Sequence, residues 1–243
     1  MLSTKPTLNA VIIGAGGVTS YMLPALKNTF DLTATIIDGD TLEKHNLDRQ
    51  LFNNNMVGEN KAKALMRQYK FKQSQGQAIT EYFDSNLLDT PYKLFFAQAD
   101  VYICCVDNHP ARKALIDTAV RYRKPVVVCA NEYHTSQAFI FDPNIASDMC
   151  QSYHPFNRYP ELETSTVGNP ISCQGDALEA TPQLAIANQV AASFGNYLLW
   201  NWFGMGVKED QYKYMPVEFQ STFSKMQTLT MENFEHAEQQ SRI

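Results

Sequence analysis

The chain has 243 residues, 44% apolar and 19% charged, with 20 basic against 25 acidic side chains. This composition excludes a disordered, collagen-like or fibrous chain, and the length suffices to bury a sizeable core. A net charge of −5 supplies no broad cationic face, which argues against nucleic acid as a main partner.

No apolar run approaches the ~18 residues of a membrane-crossing helix. The first nine residues lack the charged, apolar and small-residue succession of an export signal. The expectation is a cytoplasmic protein with no membrane partner, its five cysteines reduced. In chain order, Leu8 to Ile13 reads as a buried strand running into the turn Gly14-Ala15-Gly16-Gly17. A helix follows from Thr19 to about Asn28, then a β-branched strand over Thr33 to Asp38. Asp40 to Asn55 is polar and irregular, and Glu59 to Tyr69 is rich in helix formers. Ala78 to Phe83 and Asp100 to Val106 are further strands, and Pro110 opens a helix to Arg123. Val126 to Cys129 and Ser136 to Phe141 complete the first half.

Alternating strands and helices, with strands apolar on both faces, predict a Rossmann-like, doubly wound α/β sheet that is mostly parallel. One domain spans 1–243: a nucleotide-binding core over 8–142, a long crossover loop over 143–180, and a helix with C-terminal strands over 181–243. Thr181-Pro182 reads as an N-cap and first turn of a helix running to about Phe203 and stopped by Gly204 and Gly206. Tyr212 to Leu229 suits an antiparallel hairpin, and the last dozen residues a polar surface helix or frayed end.

Three groups of residues carry chemistry. The turn at Gly14, Gly16 and Gly17 lets the backbone approach a phosphate at a helix N-terminus, and Asp38 closes the next strand where it can accept from ribose hydroxyls. Thr19 stands where a dinucleotide fingerprint wants its third glycine, so NAD is poorly supported. Asp40, Asn46, Arg49, Gln50 and Lys61 follow in order; a dehydrogenase does not need this Arg and Lys, whereas a triphosphate does. Taken singly these are ordinary solvated charges. Asp107-Asn108, after a buried strand, sits at the ligand end of a parallel sheet, where Asp107 can hold Mg²⁺ while either residue caps the next helix.

The runs GAGGVTS, IDGD, HNLDRQLF, VGENKA and CVDN resemble the ThiF/MoeB/HesA superfamily, the activating enzymes of ubiquitin-like proteins and sulfur carriers. The resemblance covers Leu8 to Asp142 well and the helix after Thr181 loosely. It implies ATP with Mg²⁺ and adenylation of the C-terminal glycine of a β-grasp protein. It places Gly14, Gly16 and Asp38 on adenosine, Asn46, Arg49 and Lys61 on phosphates, and Asp107 on the metal; Gly17, Asp40, Gln50 and Asn108 complete the expected nucleotide set. Cys173, ahead of the crossover helix, resembles the family's thioester or persulfide cysteine in position, with Cys150 a lesser candidate; Cys104, Cys105 and Cys129 read as inert core thiols. The chain has no C-x-x-C pair, so no structural zinc is expected, and Cys150, His154 and Cys173 make a poor irregular site.

The first functional reading is therefore a compact, bacterial-type activating enzyme that adenylates a ubiquitin-like tail, forms a thioester and passes the modifier to a conjugating enzyme. Sulfur-carrier adenylylation is the alternative, followed by a non-catalytic scaffold and an NAD-linked oxidoreductase. A homodimer is expected; Trp200, Trp202 and Phe203 suit either an exposed contribution to its surface or packing of their helix on the chain's own sheet.

Overall fold

The computed structural model describes residues 4–131, 135–146, 153–164, 184–206, 214–222, 224–230 and 232–233. Its strands are β1 (Thr7–Ile13), β2 (Asp31–Ile37), β3 (Gly76–Ile79), β4 (Val101–Cys104), β5 (Val126–Asn131), β6 (Thr135–Phe141), β7 (Pro216–Thr222) and β8 (Lys225–Thr230). They form one eight-stranded sheet in the order β3-β2-β1-β4-β5-β6-β7-β8. β1 to β5 pair in parallel, and β6 to β8 extend the sheet antiparallel. The doubly wound, mostly parallel sheet with an antiparallel extension is as expected. The helices are α1 (Gly17–Thr29), α2 (Lys61–Gln68), α3 (Lys93–Gln98), α4 (His109–Tyr122), the short α5 (Pro143–Ala146), α6 (Pro155–Arg158) and α7 (Glu161–Thr164), and α8 (Ala185–Leu199).

The sheet's centre is dry. Every residue of β4 is buried, and Ile12, Ile36, Ile103 and Val127 have no exposed surface. Burial on both faces is what a parallel sheet covered by helices requires. Tyr102 is buried in the same layer because its hydroxyl donates to the Phe96 carbonyl at 2.8 Å. Pro24 lies inside α1, where it cannot donate to the carbonyl of Ser20. The Tyr69 hydroxyl donates to that carbonyl instead, at 3.1 Å.

Several boundaries differ from expectation. β3 begins at Gly76 and ends at Ile79, not at Phe83, because its partner β2 ends opposite it, at Ile37, before the Asp38 loop. β4 stops at Cys104 for the same reason: β1 ends at Ile13, and Cys105 donates one last backbone bond to it. α4 starts at His109, with the Asn108 side chain accepting from Ala111 N as its N-cap. α3 was not foreseen; a six-residue segment around Phe95 and Phe96 is too short to show a helical period. The expected cap at Thr181-Pro182 lies outside the described residues, and α8 gives way at Trp200–Gly204 to a wider helical turn.

The aromatic residues of that turn take the second of the two alternatives left open for them. Trp202 is buried, and Trp200 and Phe203 pack on this chain's own core, Trp200 against Phe30 at 6.1 Å between ring centres. They are core side chains and not an exposed dimer surface. His154 is structural as well: its Nδ1 accepts from Phe156 N at the start of α6, and its ring sits edge-on to Phe141.

Candidate active site

A cavity of about 560 Å³ opens at the carboxyl ends of the parallel strands. Among its lining residues are Gly14, Gly16, Gly17, Asp38, Asp40, Gln50, Lys61, Asp107 and Asn108. Parallel pairing explains this convergence, because all five strand tips face one edge and their loops meet there.

Gly14 follows β1 with φ +90, and a Cβ there would lie 2.8 Å from the Cys105 carbonyl oxygen. Only glycine fits both that backbone and that contact. The Thr19 hydroxyl ties the turn down by donating to the Gly14 carbonyl at 2.5 Å. A Cβ on Gly16 would meet nothing nearer than Gln50 Nε2 at 3.9 Å, so the turn's outer side is open to a ligand.

Asp38 is held from two sides: Oδ2 accepts from Ala15 N at 2.6 Å and Oδ1 from Asp40 N at 2.7 Å. Burial raises its pKa despite those bonds and the nearby Lys61. Asp40 accepts from Lys61 Nζ at 2.7 Å and from the Tyr82 hydroxyl at 2.7 Å. Burial works against the Asp40 carboxylate, but the bonds from Lys61 and Tyr82 outweigh it and hold its pKa below the ordinary value. The same bond to Asp40 pushes the Tyr82 phenol up to about 12. Lys61 is only 5% exposed, so its ammonium is delivered into the cavity as a nearly dry point charge.

Not every expected residue reaches the cavity wall. Asn46 is buried, and its Oδ1 accepts from Glu43 N in a reciprocal cap that shapes the turn at Lys44–Asp48. The Arg49 guanidinium donates to the His45 carbonyl and to Asp48, both at 3.0 Å, and does not line the cavity. Cys150 and Cys173 lie outside the described residues. Among the described residues no group of three or more His, Cys, Asp or Glu could hold a metal ion.

Other residues of the wall escaped the sequence reading. Tyr82 lies across Gly39, where a Cβ would meet its ring at 2.6 Å. Arg112, from α4, is anchored by Nε to the Val106 carbonyl at 3.0 Å. Asn188 arrives from α8, and its Nδ2 donates to the Arg49 carbonyl at 3.0 Å. Cys104 is inert as expected, burial pushing its thiol up to about 12. Cys105 is half-buried and borders the cavity, and a hydrogen bond from Cys129 lowers its pKa.

The residues present suit a nucleoside triphosphate. An open glycine turn at the start of a helix, a carboxylate at the tip of the neighbouring strand, and a dry lysine are complementary to phosphates, ribose and phosphate charge in turn. Asp107, exposed at the same rim, is a single carboxylate of the type that Mg²⁺ shares with phosphate oxygens.

A sequence model of the ThiF family matches residues 6–238. The adenylyltransferase and sulfurtransferase UBA4 of Kluyveromyces lactis is 28% identical over 152 residues, 60% of this chain and 33% of that protein. The protein of the same name from Neosartorya fischeri is 31% identical over 118 residues, 48% of this chain and 22% of its own length. The chain thus spans a third or less of these curated relatives. Among solved structures, E. coli MccB with AMPCPP and MccA superposes with a TM-score of 0.62 at 20% identity, covering 92% of this chain and 64% of that one. PaaA gives 0.62 at 14% identity over 93% and 63%. Both show the shared fold. Among the described residues, no helix is long and apolar enough to cross a membrane.

Proposed function

The chain belongs to the ThiF family, and on that premise we propose that it adenylates the C-terminal carboxylate of a small ubiquitin-like protein, with ATP as the second substrate. The observation that carries the reading is the cavity in which Gly14–Gly17, Asp38, the Asp40–Lys61 pair and Asp107 meet at the strand tips. Asp38 accepts from the ribose hydroxyls. The Gly14–Gly17 turn receives the phosphates, and Lys61 neutralises their charge. For Lys61 to do so, it exchanges the Asp40 carboxylate for a phosphate oxygen while Tyr82 still satisfies Asp40. When bound at Asp107, Mg²⁺ supplies further neutralisation of phosphate charge.

A carboxylate oxygen of the tail attacks the α-phosphorus, the bond from that phosphorus to the bridging oxygen breaks, and pyrophosphate leaves. The protein contributes positioning and charge stabilisation. Arg49 belongs to this reading if its guanidinium leaves Asp48 for phosphate, an exchange of one exposed carboxylate partner for another anion.

In the finer reading, the Cys173 thiolate then attacks the acyl carbon, AMP leaves, and the thioester passes to a conjugating enzyme. The second reading, adenylation followed by sulfur transfer, is favoured by the names of the UBA4 relatives. A homodimer is part of the same proposal, and sedimentation as a monomer at high micromolar concentration contradicts it. The deciding measurement is ATP–pyrophosphate exchange dependent on a small β-grasp protein; its absence with ATP·Mg²⁺ bound refutes adenylation. Cys173→Ala is expected to retain exchange and lose the reducible, partner-sized adduct on denaturing gels, whereas Cys150→Ala retains both. An adduct that survives in the Cys173 variant removes that residue from the reaction.

A further inference from the structure

Two cysteines from adjacent strands meet in the wall of the cavity, and the adenylation reading uses neither. β4 and β5 run parallel with Cys104 opposite Val128. One step further along that register, Cys105 stands beside Cys129, with both side chains on one face of the sheet. Cys105 packs beside Thr19 of α1, and a Cβ on Gly195 of α8 would meet Cys129 Sγ at 2.6 Å. The Cys129 thiol donates to the Cys105 sulfur, so the two sulfur atoms already face each other. Neighbouring strands lie about 4.8 Å apart, inside the range of roughly 4.4–6.8 Å between Cα atoms that a disulfide spans.

The cysteines differ in access. Cys105 is half-buried, whereas Cys129 is 1% exposed and Cys104, on the opposite face, has no exposed surface. A small oxidant that enters the cavity therefore meets Cys105 first, with Cys129 behind it as a resolving thiol.

We propose that Cys105 and Cys129 form a reversible disulfide that weakens nucleotide binding in the cavity. A hydroperoxide transfers one oxygen to the Cys105 sulfur, leaving as water or an alcohol, and Cys105 becomes a sulfenic acid. The Cys129 sulfur attacks the Cys105 sulfur, the S–O bond breaks, and the hydroxyl departs as water with the Cys129 proton. A dithiol reverses the link by exchange and is itself oxidised to a disulfide.

The effect on nucleotide follows from what rests on Cys105. A Cβ on Gly14 would lie 2.8 Å from the Cys105 carbonyl oxygen, and Cys105 N donates to the Ile13 carbonyl at 2.8 Å. The glycine turn thus sits directly on the Cys105 backbone, and Asp107 follows two residues on. β4 lies between β1 and β5, so drawing Cys105 toward Cys129 draws it away from that turn. This effect rests on the ATP reading above; the disulfide itself does not.

The test treats the full chain with hydrogen peroxide and maps its peptides without reduction. The expected product is a peptide pair linked through Cys105 and Cys129, two hydrogens lighter than its parts and separated by dithiothreitol. In Cys129→Ala the Cys105 sulfenic acid lacks its partner and is trapped by dimedone, whereas the natural chain traps little. Calorimetry is expected to show about tenfold weaker ATP·Mg²⁺ binding by the linked chain, equivalent to one lost phosphate contact. The weakening follows the linked fraction, and dithiothreitol reverses it. Unchanged thiols, full dimedone trapping in the natural chain, or a link from Cys105 to another cysteine overturns the disulfide. A linked chain that binds ATP·Mg²⁺ as tightly as the reduced chain overturns the effect and leaves adenylation standing. A reduced chain that binds no ATP·Mg²⁺ overturns adenylation and the effect together, while the linked peptide still decides the disulfide.

Discussion

The parallel and antiparallel halves of the sheet treat their polar residues in opposite ways. At the tips of β1, β2, β4 and β5, polar groups converge on a cavity, and Gln50 Oε1, Asn131 Nδ2 and Asn188 Oδ1 are left without protein partners there. Across β6 and β7, polar groups turn to one another. Glu218 has no exposed surface and pairs with Arg158, and its Oε1 accepts from Tyr159, Gln137 and Gln220. The Arg158 guanidinium also lies over the rings of Phe139 and Tyr159 at 5.5 and 5.2 Å. Parallel strands deliver all their carboxyl ends to one edge, whereas antiparallel strands alternate. The first half can therefore gather a site, and the second holds α6 against the sheet.

The division between site and scaffold is most exposed to test at Glu218. Glu218→Ala strands the Arg158 charge in the core and is expected to cost about 3–5 kcal/mol of stability, read by urea unfolding. Exchange activity per folded molecule should remain. An inactive but fully stable variant would place this cluster in the site.

The reverse pattern is expected at Lys61. Lys61→Met keeps most of the volume but removes the ammonium, and exchange should fall about 100-fold or more. Near-normal exchange would remove Lys61 from phosphate binding. Arg49→Ala should lower exchange about tenfold or more and change stability by less than about 1 kcal/mol, since its partner Asp48 is 70% exposed. A large stability loss with intact exchange would make Arg49 a scaffold residue instead.

The smallest effect is a slope with pH. Burial raises the Asp38 pKa above its ordinary 3.8, so the folded chain binds that proton more tightly than the unfolded one. Asp38 therefore withdraws stability as pH climbs from about 3.8 through its folded pKa. Asp38→Asn removes this loss, and its stability relative to the natural chain should improve across that window while nucleotide binding disappears. Parallel stability curves from acid to neutral pH would show that Asp38 carries no such penalty.

What was legible in the sequence was local. The run into Gly14, the β-branched stretch before Asp38 and the cap at Asn108 act within a few residues of themselves. Periodicity and turn chemistry reveal such features directly. The order of Asp40, Gln50 and Lys61 could also be read, because α2 follows closely on the loop it serves. The expected strand lengths failed where a neighbour ended first, as at Ile79 and Cys104. A strand's own residues do not say how long its partner is.

By itself, then, the sequence determined the alternation of strands and helices, the glycine turn and the acidic strand tips, since each depends on backbone preference and burial along a short stretch. Tertiary structure alone decided that Asn188 would bridge 139 residues to the Arg49 carbonyl, that Tyr82 would cover Gly39, and that Tyr69 would satisfy the carbonyl left bare by Pro24. It also turned Arg49 onto Asp48 and folded Trp202 into the core. These outcomes depend on which surfaces meet when the helices pack on the sheet, and no local pattern encodes a meeting between segments so far apart in the chain.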